Sequence, residues 1–218
     1  MEPELTLRAP RHFTMREAVM ENLVAGGIAL VSIFLVTSFF SLVAFVATRS
    51  GHLDHALLIS ICILWWISFV ACSVLLLPLG CNIYTARLVR AYVDKPKNGG
   101  RSLIVQISLS PPLYDGTRHF MEDADDVGYL HFSEGGLTFV GDSISLNLPY
   151  EHIERIEDSN VGFRGLWVCG RRIRVYTRAV ASYDSFEFLE RQSFRLKTSQ
   201  RVSGEILKAL MMRTQLQA

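Results

Sequence analysis

Two long stretches near the beginning of the chain contain no charged residue, residues 24–48 and residues 56–86. A helix needs roughly 20 apolar residues to cross a hydrocarbon layer about 30 Å thick, and each stretch is longer than that. The connection between them, residues 49–55, is short and polar. We therefore predict a hairpin of two antiparallel membrane helices over residues 23–93, with spans at about 23–48 and 56–79 and with helix continuing to about residue 93.

Positive charge is distributed unequally around this predicted hairpin. Arg49 is the one lysine or arginine in the connection, whereas the other side of the hairpin carries Arg8, Arg11, Arg16, Arg87, Arg90, Lys95, Lys97 and Arg101. Basic residues are enriched in cytoplasmic loops, so we expect both termini in the cytoplasm and the short loop outside. Residues 1–22 then form a cytoplasmic segment in which a helix begins near Met15, after a capping box made by Thr14 and Glu17.

Small residues and two tryptophans mark faces of the predicted helices. Small side chains four residues apart let helices approach closely. The residues concerned are Ala25, Ala29, Thr37, Ser41, Ser68 and Cys72, together with Trp65 and Trp66. They indicate either contact with another membrane subunit or with a bound pigment or lipid, or else packing within the hairpin or ordinary contact with the surrounding lipid. The spans contain no ionisable residue, which argues against a proton or ion pathway.

After a linker at residues 94–101, the pattern of the remaining chain, residues 102–218, changes to short alternating segments. Ile144, Leu146 and Leu148 alternate with polar residues, as in a half-buried antiparallel strand. The pattern predicts strands at 102–109, 128–133, 137–140, 143–148, 152–157, 166–169, 172–177, 186–189 and 194–198. The chain then ends in an amphipathic helix, with Val202, Ile206, Leu210 and Met211 on its apolar face.

This succession of strands and a terminal helix resembles a pleckstrin-homology or GRAM-like domain of the bacterial kind. The resemblance rests on the segment from Gly128 to Tyr150, on Trp167 with the strand at 172–177, and on the segment that leads into the terminal helix. It implies a bent antiparallel sheet of seven strands closed by the helix, and a bacterial inner membrane as the location. Relatives that bind phosphoinositides use basic residues in the first hairpin loop, whereas residues 110–126 here are acidic.

Basic residues are instead concentrated further along the predicted domain. Arg172, Arg174 and Arg178 share one face of a predicted strand, and Arg195 and Lys197 share one face of another. If the two strands are close, the five cations are able to bind anionic lipid headgroups or an acidic protein partner. The other interpretation is a solvated strand face that nearby carboxylates neutralise.

Composition narrows the possible functions. The net charge of +1 argues against a nucleic-acid-binding protein. The four cysteines form no CxxC pair, and His52, Asp54 and His55 stand in a short loop without a fourth ligand. We find no catalytic motif, and we expect no metal and no cofactor.

The sequence therefore predicts a membrane α-helical hairpin joined to a β-rich, PH/GRAM-like domain, without enzymatic activity. The leading hypothesis is a membrane-anchored cytoplasmic module that binds a protein partner or an anionic lipid surface. The alternative is a non-catalytic accessory subunit of a larger membrane complex. The expected partners are membrane lipids and a membrane protein that contacts the hairpin, and nucleic acid is not expected.

Overall fold

The computed structural model describes residues 2–50, 54–96, 102–113, 124–158, 172–180 and 182–215. Within these ranges the structure does not describe the side chains of Ala18, Asn22, Ala25, residues 72–81, Ala179, Leu196 and Gln215. The predicted strand at 166–169, most of the acidic loop and part of the linker lie outside the described residues.

Two long helices, α1 (Met15–Arg49) and α2 (His55–Tyr92), form an antiparallel pair. The beginning of α1 contacts the end of α2, and further along the pair Thr37 contacts Trp65. Asp54 caps the second helix, since its carboxylate accepts a hydrogen bond from the N–H group of Leu57 at 2.7 Å. A cap of this kind satisfies one of the donors that every helix leaves unpaired at its N-terminus.

The length and composition of α1 are sufficient for crossing a membrane, with a mean hydropathy of 2.5 over its most apolar window. Only 6% of that window is buried, and large side chains such as Leu30 and Phe34 face outward. In the described part of α2, the apolar segment His55–Ala71 is shorter than a span. The second predicted span, at about 56–79, includes side chains outside the description. The described residues thus contain one helix that meets the criterion, where the sequence predicted two.

The described strands form one antiparallel, curled sheet of eight strands. They are β1 (Glu4–Leu7), β2 (Ser102–Ser110), β3 (Asp126–Phe132), β4 (Gly136–Gly141), β5 (Ile144–Pro149), β6 (Ile153–Asp158), β7 (Arg172–Val180) and β8 (Tyr183–Glu190). Their order across the sheet is β1-β5-β4-β3-β2-β8-β7-β6. Strands β2 to β5 and β6 to β8 are therefore two meanders, which meet where β2 pairs with β8.

The main apolar core lies on the inner side of this curled sheet. Ile144, Leu146 and Leu148 of β5 are all buried in it, which confirms the predicted alternation. Helix α3 (Leu196–Gln215) closes the core. Its buried face carries Val202, Ile206 and Leu210, whereas Met211, which we placed on that face, is 40% exposed.

The chain after β8 turns into a helix, so the predicted strand at Phe194–Thr198 is wrong. Glu190 explains the turn, because its buried carboxylate accepts hydrogen bonds from two backbone N–H groups that follow and from the hydroxyl groups of Ser193 and Ser199. These bonds fold the chain away from the sheet before another strand is able to form. The position beside β7 is occupied by β8, which is longer than the strand that we predicted at 186–189.

The N-terminal segment, residues 1–22, contributes a strand that the sequence did not predict. Strand β1 pairs with β5, with Leu5 opposite Leu146. Helix α1 begins at Met15 as predicted, but the proposed capping box is wrong. The side chain of Thr14 makes no capping hydrogen bond, and the carboxylate of Glu17 accepts a hydrogen bond from the hydroxyl of Tyr84 instead.

Candidate functional site

The turn between β4 and β5 binds the segment that leads into α1. One carboxylate oxygen of Asp142, Oδ2, accepts hydrogen bonds from the backbone N–H groups of Arg11, His12 and Phe13 at 2.8, 2.7 and 2.9 Å. Hydrogen bonds to an ionised acceptor are roughly twice as strong as neutral ones. The backbone that enters α1 is thereby fixed to the sheet.

A second apolar cluster joins the end of α2 to the same side of the sheet. Ala86 and Val89 of α2 are buried together with Ile104, Val127 and Phe13. Burial of apolar surface stabilises this junction by about 25 cal/mol for each Å² removed from water. The position of the sheet on the hairpin is therefore set by side-chain packing as well as by the covalent linker.

Buried polar contacts reinforce the junction. The side-chain amide of Asn82 donates to the backbone carbonyl of Ser193 at 2.8 Å, and its oxygen accepts from the guanidinium of Arg191 at 3.2 Å. Arg191 also donates to the side-chain oxygen of Gln106 in β2. This network connects α2 with β2 and with the segment that follows β8.

Two polar pairs hold the helices together at the same end of the hairpin. The hydroxyl of Thr85 donates to Glu21 Oε1 at 2.6 Å, and the hydroxyl of Tyr84 donates to the carboxylate of Glu17. Burial, together with the bond to Glu17, raises the pKa of Tyr84 from 10.0 to about 12. The shift moves the loss of the phenol proton further above the physiological pH range, in which the hydroxyl donates to Glu17.

A cleft with a volume of about 470 Å³ opens at this end of the hairpin, between the segment before α1 and the last turns of α2. Its charged lining consists of the guanidinium groups of Arg11, Arg16 and Arg87 and the carboxylate of Glu17. The imidazole ring of His12 stacks on the ring of Tyr92, with centroids 4.1 Å apart and planes at 12°. The arrangement is a basic, partly aromatic cleft suited to an anion.

The sequence did not predict this cleft, although all three of its arginines had been noted for another reason. Arg11, Arg16 and Arg87 were noted for the orientation of the hairpin in the membrane. The cleft joins residues 11–17 with residues 84–92, so the register of α1 against α2 had to be known. The signal available in the sequence was the presence of basic and aromatic residues on both flanks of the apolar stretches.

The structure divides the cations that we predicted as a binding surface. Arg172 and Arg174 both form ion pairs with Glu187 across β7 and β8, and Arg172 is only 6% exposed. Arg178 is exposed and pairs with Glu154 of β6 at 3.0 Å. The neighbouring carboxylates therefore neutralise much of the charge on this strand.

The other two predicted cations do not lie on a strand. Arg195 is exposed just before α3, and Lys197 is exposed in the first turn of that helix. The expected strand face that would align them with Arg172, Arg174 and Arg178 is absent from the described structure. Both side chains remain accessible to a partner.

The residues predicted to pack the membrane helices have different environments. Trp65 donates from its indole N–H group to the hydroxyl of Thr37 at 3.1 Å, within the hairpin, and Ala29 is buried. Trp66 is 58% exposed on the outside of the hairpin. Ser41 is exposed and Ser68 is half-buried, whereas the side chains of Ala25 and Cys72 lie outside the description.

Within the described ranges, no group of three or more His, Cys, Asp or Glu side chains is placed to hold a metal ion. The predicted loop with His52 lies partly outside those ranges. What the described site offers chemically is a group of exposed cations beside aromatic rings. Such groups bind and orient an anion.

No family model matches this chain, and no curated protein matches it in sequence. Among solved structures, the chain is similar to one described as the apo structure of the activated truncation of Vav1, with a TM-score of 0.34 and 12% sequence identity. The match covers 85% of this chain and 46% of that chain, so this chain spans less than half the length of the structure that it matches. At this TM-score the match assigns neither a family nor an activity.

Proposed function

We propose that this protein is a membrane-anchored binding module without enzymatic activity. Helices α1 and α2 would both cross the membrane. The β-domain, which consists of strands β1 to β8 and helix α3, would lie at the cytoplasmic face, where it recognises an anionic lipid surface or a protein partner. The observation that carries the proposal is the packed junction in which Asp142 holds the entry to α1 and the end of α2 shares a buried cluster with the sheet.

The surface of the hairpin supports the anchoring. Apolar side chains along α1 are largely exposed, Phe34 to 70% and Leu42 to 60%, whereas the core helix of a soluble protein buries such residues. A helix that is apolar all round is typical of a membrane span. The uncharged stretch of α2, residues 56–86, is long enough for a second span. The excess of lysine and arginine on the side of the termini favours a cytoplasmic β-domain.

The β-domain is consistent with a PH-like or GRAM-like module of the bacterial kind. Strands β2 to β8 give seven antiparallel strands in two meanders, and α3 follows them. These are the elements that the resemblance implies, with β1 as an addition. A bacterial inner membrane is the location that goes with this interpretation.

Purification of the full chain from membranes in a mild detergent, followed by native mass spectrometry, tests the proposal. A binding module should carry either a stoichiometric protein partner or anionic lipid enriched over its share of the membrane. A chain that is recovered alone, with lipids in the proportions of the bulk membrane, would contradict the proposal.

The outward face of the hairpin favours the second candidate, an accessory subunit of a larger membrane complex. Trp66 is 58% exposed on that face, whereas Trp65 beside it donates a hydrogen bond to Thr37 of the other helix. Tryptophan is enriched among residues that dominate protein interfaces. If a membrane subunit packs here, a Trp66→Ala variant should lose the partner during purification while the β-domain stays folded. An unchanged complex in that variant would count against this face.

A further inference from the structure

The basic cleft at the base of the hairpin carries positive charge that the described carboxylates do not pair with. Three guanidinium groups line it, and within the described ranges no carboxylate forms an ion pair with Arg11, Arg16 or Arg87. The carboxylate that shares the cleft, Glu17, is engaged by the hydroxyl of Tyr84. An anion that enters the cleft would therefore meet a net positive environment.

The cations of the cleft are attached to well-fixed backbone. The N–H groups of Arg11 and His12 are bonded to Asp142, and Arg87 stands between the buried residues Ala86 and Leu88 of α2. The ring of His12 is held against Tyr92. The backbone that carries these groups therefore needs little further ordering when an anion binds, which lowers the entropic cost of binding.

The first turn of α1 adds to the positive potential of the cleft. Thr14, Arg16 and Glu17 all line the cleft, and the N-terminus of a helix carries about half a positive elementary charge. Because the side chain of Thr14 makes no capping hydrogen bond, it does not occupy the donors of this turn. The cleft therefore combines side-chain cations with a helix N-terminus.

If the hairpin crosses the membrane as proposed above, the cleft would lie close to the lipid headgroups. Arg87 is the first charged residue after the uncharged stretch 56–86 of α2. On α1, Arg16 precedes residue 24, where the uncharged stretch begins, by about 12 Å of helix at 1.5 Å per residue. A lipid phosphate just outside the hydrocarbon layer is thus within reach of the cleft.

We propose that this cleft binds the phosphate of an anionic lipid headgroup from the surrounding leaflet. Guanidinium groups match phosphate oxygens with paired N–H donors, and three arginines line this one cleft. The proposal rests on the membrane anchoring proposed above, and it places lipid recognition at the hairpin base. The strand with Arg172, Arg174 and Arg178 is then not the lipid site, since its cations are paired with Glu187 and Glu154.

The test is calorimetric titration of the full chain in a neutral detergent with dihexanoyl phosphatidylglycerol. Dihexanoyl phosphatidylcholine serves as the zwitterionic probe and inorganic phosphate as the soluble one. A double variant, Arg11→Gln with Arg87→Gln, removes two cations of the cleft. The matched control, Arg201→Gln with Lys208→Gln, removes two exposed cations from α3, and melting curves confirm that both variants are folded.

We expect the wild-type protein and the control to bind phosphatidylglycerol alike, and the cleft variant to bind about 30-fold more weakly. The proposal would be overturned if the cleft variant bound phosphatidylglycerol as tightly as the wild type, or if the control lost as much affinity as the cleft variant. Binding of phosphatidylcholine to the wild type as tight as that of phosphatidylglycerol would also overturn it. If inorganic phosphate bound as tightly as phosphatidylglycerol, the claim that the bound phosphate belongs to a lipid would be wrong. Anionic lipid that still copurifies with the cleft variant would leave the binding module intact and refute the cleft alone.

Discussion

The side-chain amide of Asn82 donates a hydrogen bond to the backbone carbonyl of Ser193 at 2.8 Å, although 111 residues separate them in the chain. Asn82 belongs to the second helix of the hairpin and is fully buried. Ser193 belongs to the turn that follows the last strand of the sheet. This bond shows that the β-domain is docked on the hairpin through a specific polar contact inside the junction.

Removal of the Asn82 side chain should loosen that junction. An Asn82→Ala variant loses the bond to Ser193 and leaves a buried carbonyl without its donor, which costs about 1–3 kcal/mol. We expect the end of α2 and the segment around Ser193 to exchange amide hydrogens about tenfold faster or more. Hydrogen-exchange mass spectrometry of the full chain measures this change. The control is Gln200→Ala, at an exposed position of α3, and equal exchange in the two variants would refute the role of Asn82.

The stability of the β-domain should depend on pH through Asp126. Burial raises the pKa of this carboxyl group from 3.8 to about 6 in the folded protein, despite the hydrogen bonds that it accepts from Ser143, Ile144 and Val127. The folded protein therefore binds the proton more tightly than the unfolded chain. The contribution of Asp126 to the free energy of unfolding falls by about 3 kcal/mol as the pH rises from about 4 to about 6, and is constant above that range.

Denaturant unfolding of the full chain at a series of pH values measures this dependence. An Asp126→Asn variant should lack this part of the pH dependence, although it forms fewer hydrogen bonds with the turn at Ser143. An Asp184→Asn variant, which alters an exposed carboxylate, should retain it. If the curves for wild type and Asp126→Asn run parallel between pH 4 and pH 6, the carboxyl group does not titrate in this range.

Close packing of β3 against β4 makes Gly128 difficult to replace. A Cβ atom at this position would lie 2.5 Å from the Cα atom of Gly141 and 2.8 Å from the carbonyl carbon of Val140. Backbone atoms of a central strand cannot move away without breaking the strand pairing. We expect Gly128→Ala to destabilise the β-domain by at least about 1–3 kcal/mol.

The turn after β3 offers a matched control for this substitution. A Cβ atom at Gly135 would meet nothing within 4 Å, so Gly135→Ala should change the stability little. Thermal unfolding of the two variants, followed by circular dichroism, compares them directly. Equal melting temperatures would mean that β3 and β4 are not as close as described.

Local patterns predicted strands such as β5, in which apolar and polar residues alternate strongly and which pairs with a strand on each side. Ile144, Leu146 and Leu148 face the core because side chains in a strand alternate between its two sides. The same rule failed at Phe194–Thr198, where the alternation is present but Glu190 binds the following turn and starts a helix. Tertiary contacts of a single buried carboxylate outweigh a local preference of this size.

Features that depend on distant contacts were not predictable from one sequence. Strand β1 has four residues, and it is stabilised by its pairing with β5, more than 130 positions later. The cleft likewise needs Arg11 and Arg87 to meet, which depends on the register of two long helices. The basic residues on both flanks of the apolar stretches are visible in the sequence, but the sequence does not show that they line one cleft.

Labelling of introduced cysteines with a membrane-impermeant maleimide tests most directly whether the hairpin spans the membrane. In a protein from which Cys62, Cys72, Cys81 and Cys169 have been replaced, the Ser50→Cys variant tests the loop of the hairpin and the Gln200→Cys variant tests α3. Both positions are exposed. We predict that Ser50→Cys is labelled in intact cells and that Gln200→Cys is labelled only after the cells are permeabilised. Labelling of both positions from the same side would contradict the membrane hairpin.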